Sequence, residues 1–166
     1  IDKNDKHIEC IRIPWVFMSG ANLKNNPKSV LKDILYRHDN DKKHPHPVGK
    51  FRCRFKEIEC KCIFRPSLFT SIRDHGPDSE DSHNGVDLTK NRLRLNVRCY
   101  FFSNLREKDV KNGVFLCYHY RYISDENSMN KLKTNGWYIN DGFSFNDLKT
   151  SSYPEIYDDS ILKKLP

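Results

Sequence analysis

Cysteine, histidine and carboxylate side chains are the groups from which this 166-residue chain could build chemistry, and their spacing decides how much of it is available. Cys60-x-Cys62 and Cys117-x-His119, with Cys53, Cys99, His44 and His46 in reserve, are of zinc-ligand type. Structural zinc usually draws two ligands from a tight turn with roughly two to four residues between them. A single intervening residue in a strand instead leaves two sulfurs splayed along one face. The expectation is buried, reduced thiols, with no metal and no other cofactor. Asp74-His75, His83 and Cys117-x-His119 offer acid, base and nucleophile types. No nucleophile elbow, glycine-rich phosphate loop, H-E-x-x-H motif or paired-carboxylate pattern accompanies them. The chain therefore reads as non-catalytic.

Binding chemistry is better represented. Lys and Arg number 29 against 22 Asp and Glu, a formal charge of +7 that favours polyanionic partners. Lys50, Arg52, Arg54, Lys56, Lys61 and Arg65 meet only Glu57 and Glu59, and Lys90, Arg92, Arg94 and Arg98 stand with no acid as far as residue 102. If Leu93, Leu95 and Val97 face a core, Arg92, Arg94, Arg98 and Tyr100 share the opposite face. A neighbouring strand over residues 114 to 123 would add Tyr118, Tyr120 and Tyr122, or His119 and Arg121 from the other alternation. Arginines grip phosphates and tyrosines stack bases, each stacked base contributing about 1 to 3 kcal/mol. The nucleic-acid face read from sequence is thus Arg52, Arg54, Arg92, Arg94, Arg98, Tyr100, Tyr118, Tyr120 and Arg121. The plainer reading of the same residues is cross-strand pairing on a solvated sheet, their stems covering apolar surface. A protein–protein interaction module, an adaptor or effector, is the alternative function. It would use the acidic stretch 73 to 91, the His44-Pro45-His46-Pro47 turn or an open sheet edge.

The elements that must position these groups follow from periodicity. Residues 8 to 18 alternate as a strand that Pro14 assigns to an edge or bulge. Asn26 and Pro27 open a helix carrying Val30, Leu31, Ile34 and Leu35 on one stripe as far as His38. Residues 51 to 64 alternate with a slip near Glu57, which predicts a long bulged strand. Residues 92 to 101 alternate cleanly. Asn104 and Glu107 have capping-box spacing ahead of a turn or two of helix ending at Gly113. Residues 114 to 123 are β-branched and aromatic on both alternations. A short helix is predicted over 128 to 134, then a hairpin pairing 137 to 139 with 143 to 145 around Asn140-Asp141-Gly142.

These elements predict one domain over residues 1 to 166, with a mobile polar loop at about 73 to 91 and an irregular tail from about 153. The fold class is mainly β, an antiparallel β-sandwich or curled sheet with one amphipathic helix. An α+β arrangement with a helix packed on an antiparallel sheet is the alternative. Aromatic residues at 12% separate the chain from disordered sequences, and its apolar runs fall far short of the roughly 20 residues a bilayer span needs. A soluble protein without membrane partners is expected. Thiol spacing and the absence of Asn-x-Ser/Thr sequons favour an intracellular setting, cytoplasmic or nuclear; six paired cysteines would mean secretion.

Overall fold

The computed structural model describes residues 8–44, 58–72, 76–78, 83–86, 92–95, 102–112 and 116–164. Among them are ten strands: β1 (Cys10–Ser19), β2 (Tyr36–Arg37), β3 (Ile58–Phe64), β4 (Ser71–Ile72), β5 (Pro77–Asp78), β6 (His83–Val86), β7 (Arg92–Leu95), β8 (Phe102–Ser103), β9 (Cys117–Tyr122) and β10 (Ile156–Tyr157). Five α-helices accompany them: α1 (Val30–Asp33), α2 (Glu107–Asn112), α3 (Asp125–Thr134), α4 (Gly136–Asn140) and α5 (Phe145–Thr150). Antiparallel pairing dominates, with β1 and β6 parallel. The chain is thus an antiparallel sheet of several strands with a few helices, compatible with the α+β architecture. No helix of the described residues is long and apolar enough to cross a membrane.

Two compact units divide the chain, one of residues 1–15 and 54–117, the other of residues 16–53 and 118–166. In the first, the leading half of β1 pairs with β3 from Cys10↔Phe64 to Pro14↔Cys60, and with β6 at Cys10 and Ile11. Strand β8 pairs with the start of β3, and β6 pairs with β7. The even-numbered residues of β3 point inward, Ile58 and Cys60 fully so, while Lys61 and Ile63 are exposed. The second unit holds the rest of β1, which pairs with β2 at Met18↔Arg37; β2 in turn pairs with β10. Strand β9 also pairs with β1. Tyr122, Tyr138, Phe143 and Leu148 form the core here, with Leu132 and Phe145 against it.

Several expectations are corrected. Pro14 does not mark an edge, because β1 has partners in β2, β3, β6 and β9. Its β3 register ends at Pro14↔Cys60, so the missing N–H falls where the strand changes partners and little ladder is lost. The long helix expected as far as His38 is only α1, after which Ile34 turns extended and Tyr36–Arg37 becomes a strand. An exposed Leu31 shows how little that helix would bury, whereas strand geometry buries Arg37 and His38. The hairpin predicted over residues 137 to 145 is instead α4 and α5. Gly142, at φ 70°, ends the first of these helices in the left-handed conformation, and Ser144 with Asp147 makes a reciprocal capping box for the second. Helix α3 starts three residues earlier than expected because Ser124 caps it, its hydroxyl accepting from the Asn127 N–H. The segment from residue 153 is largely irregular and carries the two-residue β10.

One close approach fixes the second unit. The Gly20 N–H donates to the Tyr122 carbonyl at 2.9 Å, and a Cβ on Gly20 would lie 2.0 Å from the Ile123 carbonyl oxygen. Only a glycine allows β1 to continue this near to the end of β9. Gly20→Ala should lower stability by about 3 kcal/mol, since backbone rather than a flexible side chain must move. Urea unfolding measures it, and a loss below about 0.5 kcal/mol would refute the contact's role.

Candidate functional site

The basic and aromatic face read from sequence is only partly within view. Arg52, Arg54, Arg98 and Tyr100 lie outside the described residues. Arg92 and Arg94 occupy alternate positions of β7, opposite Val86 and Asn84 of β6. Among the described residues β9 pairs with β1, and β7 with β6. Of the three residues of β9 in that face, Tyr118 and Tyr120 are half-buried and Arg121 is buried. Tyr118 shares a hydrogen bond with Ser160 at 2.7 Å. The Tyr120 hydroxyl is buried with no hydrogen-bond partner among the described residues, and burial, with Tyr118 and Asp158 nearby, pushes its pKa up to about 12. Arg121 is 9% exposed; its Nη2 donates to Ser151 Oγ at 3.1 Å, and its guanidinium lies 5.4 Å from the Phe17 ring centre.

Around Phe17 the second unit assembles a cluster that sequence reading missed. His38, 4% exposed, stacks on Phe17 at 5.3 Å, tilts against His44 at 5.4 Å and meets Tyr153 edge-on at 5.1 Å. His119 meets the same phenylalanine edge-on, at 5.5 Å. The Tyr153 N–H donates to His38 Nε2 at 3.1 Å, which places the ring proton of a neutral imidazole on Nδ1, itself buried with no partner among the described residues. His44 Nε2 lies 2.7 Å from a Glu155 carboxylate oxygen, and that carboxylate also accepts from the Asp39 N–H and from Lys42. Burial opposes the charge on Glu155, but these donors outweigh it and hold its pKa low. An imidazole oriented by a carboxylate is a fragment of acid–base machinery. The same imidazole packs against the His38 and Tyr153 rings. His44 and Glu155 are separated by 111 positions, and no spacing motif advertises such a pair.

Sulfur is concentrated in the first unit. Cys10, Cys60, Cys62 and Cys117 are thiols, Cys10 and Cys60 fully buried. Among the described residues no group of three His, Cys, Asp or Glu side chains could hold a metal ion.

The concave feature best suited to recognition lies on the same unit, a depression of about 100 Å³ between β1 and β3. Ile8, Ile11, Ile63 and Phe64 supply its apolar lining, and Glu9 and Arg65 its charged members. Arg65 Nε donates to the Ile8 carbonyl at 3.0 Å, which fixes the rim. The chain matches no protein-family model, no curated protein and no solved structure. Ile63, Leu68 and Ile72, within ten residues of chain, are 56%, 40% and 69% exposed. Lys61 and Arg65 are exposed in the same stretch. The signal was present in the alternation, which assigns Ile63 to the outward phase of its strand.

The His38 cluster makes the second unit acid-sensitive. Burial first, then His44 and Arg121, hold the His38 pKa well below 6.5, so below that pH the unfolded chain takes up a proton that the folded chain refuses. Stability should fall as pH drops from about 6.5, by up to about 1.4 kcal/mol per pH unit, before Glu155 and Asp158 begin to protonate. His38→Gln, which keeps an acceptor for the Tyr153 N–H, should flatten the slope of urea-unfolding free energy between pH 7 and 5.5. An unchanged slope would exclude His38 as its origin.

Proposed function

We propose that this protein is a non-catalytic binding domain that recognises a protein segment through the first unit. The observation that carries the reading is the apolar depression between β1 and β3, flanked in sequence by exposed isoleucines and cations. Its volume suits one branched aliphatic side chain, the kind of enclosed anchor that dominates binding energy at interfaces. Scattered exposed hydrophobics are ordinary, but three in ten residues beside a depression favour an interaction surface. Lys61 and Arg65 favour an acidic partner and speed its encounter. The reading departs from the nucleic-acid face because Tyr118, Tyr120 and Arg121, which were to provide stacking and a phosphate contact, have internal partners or burial instead. Arg92 and Arg94 on one alternation of β7 keep polyanion binding as the competing outcome of the test.

Peptide display selection on the intact protein, followed by anisotropy titration of the enriched peptides, tests it. The enriched sequences should combine an aliphatic anchor with Asp or Glu. Ile63→Asp with Ile72→Asp should weaken their binding at least tenfold while circular dichroism stays unchanged. Peptides that bind wild type and variant equally would overturn the proposal. So would a single-stranded or duplex oligonucleotide that binds more tightly and survives physiological salt.

A further inference from the structure

His38 and His44 stand side by side in the second unit, both buried, with ring centres 5.4 Å apart. A short crossing of chain, residues 153 to 155, lies against them. The Tyr153 ring stacks on His44 at 4.1 Å and meets His38 edge-on at 5.1 Å, while its N–H donates to His38 Nε2 at 3.1 Å. Glu155 closes the crossing, its carboxylate accepting from the Asp39 N–H and from Lys42 and lying 2.7 Å from His44 Nε2. Pro154, between the two, is exposed. Both ends are pinned by contacts that involve no histidine. Ser152 shares a buried hydrogen bond of 2.6 Å with Ser19, and Asp158 meets Arg37 at 2.6 Å.

We propose that residues 153 to 155 are an acid-released strap, lifted from the histidine pair by protonation of His38 while the sheet beneath stays folded. The Tyr153 N–H has an acceptor only while His38 Nε2 carries no proton. A proton there sets a donor against a donor, and the contact that holds the strap becomes repulsive.

The groups packed around His38 decide the direction. The turn over residues 39 to 44 brings His44, and β9 brings Arg121, with His119 on the far side of the shared Phe17 ring. Strand β1 supplies the uncharged Phe17 ring itself, and β2 supplies Arg37, which donates to the His38 carbonyl and is paired with Asp158. The strap's own carboxylate, Glu155, is turned to His44, Lys42 and the Asp39 N–H. Burial, then His44 and Arg121, thus hold the His38 pKa well below 6.5 in the closed state. Release admits water to the ring and restores ordinary basicity, so falling pH favours release, by up to about tenfold in the equilibrium per pH unit. The downstream pin outlasts it. Burial opposes the charge on Asp158, but donors from Ser160 and Arg37 outweigh it and keep its pKa low, so that ion pair persists while His38 titrates. A histidine that trades a hydrogen bond for a buried charge is the element on which pH switches are built.

An NMR titration of the intact protein from pH 7.5 to 4, following the histidine ring protons and the backbone amides, tests the strap. The Tyr153 and Asp39 amides should move together, with the midpoint of the His38 ring, and the Tyr153 N–H should lose at least tenfold of its exchange protection. The β1 amides and the far-UV circular dichroism should still be native where that transition is complete. His38→Gln keeps an acceptor and cannot titrate, so it should abolish the early transition and leave only global acid unfolding. Loss of Tyr153 protection only together with that of β1, a Tyr153 midpoint apart from that of His38, or an early transition that persists in His38→Gln would overturn the proposal. The wild-type titration decides it even if the variant does not fold.

Discussion

A strand that is buried along its length must find a partner for every backbone donor and acceptor, and β1 imposes that demand on the rest of this chain. From Pro14 through Ser19 its residues are buried on both alternations, so neither face can be left to water. The leading residues satisfy their groups against β3 and β6, and the trailing ones draw in β2 and β9. Pro14, the residue without an N–H, sits where one set of partners ends. Gly20, with no side chain, permits the close approach that follows. A side chain at Gly20 would force backbone apart, which sets that position above any single side-chain contact in importance.

The chemistry of each unit depends on what β1 presents there. In the first unit Arg12 lies opposite Cys62 and Ile11 opposite Ile63, so one register places both the sulfur cluster and the lining of the apolar depression. In the second, Phe17 is the ring against which His38, His119 and Arg121 gather. The groups that would be costly to bury alone are held by partners far away in sequence. Arg37 and Asp158, both nearly enclosed, meet at 2.6 Å, and Ser19 and Ser152 share a buried hydrogen bond of 2.6 Å. A buried ion pair contributes modestly to stability when intact, yet losing one partner leaves an uncompensated charge. Such pairs fix one packing of residues 152 to 158 against β1 and β2 rather than simply strengthening it.

Alternation made β1, β3, β7 and β9 legible, because a strand with one covered face writes its register into residue types. It even marked Ile63 as an apolar residue on the outward phase. What alternation could not convey was the identity of the neighbours. Arg121 and Tyr120 read as ligand-facing because arginine and tyrosine are usually exposed at their polar ends, and the serine that receives Arg121 lies thirty residues later. The segment from Trp137 to Phe145 misled for a different reason. Its aromatics have strand propensity, and Asn140-Asp141-Gly142 resembles a hairpin turn. Burial of Tyr138, Phe143 and Leu148 in one core with Tyr122 decides for helices. Tertiary contact overrides local preference most easily where helices are short, and α4 and α5 have five and six residues.

If β1 is the constraint on which both units depend, its amides should be the last to open. Native-state hydrogen exchange followed by NMR tests this directly on the intact chain. Ile11 through Ser19, apart from Pro14, should exchange only with global unfolding, with protection free energies at the maximum found in the protein and equal in the two halves of the strand. Exchange of the β1 amides at rates typical of the short α4 helix, or through a local opening confined to one half of the strand, would contradict the account.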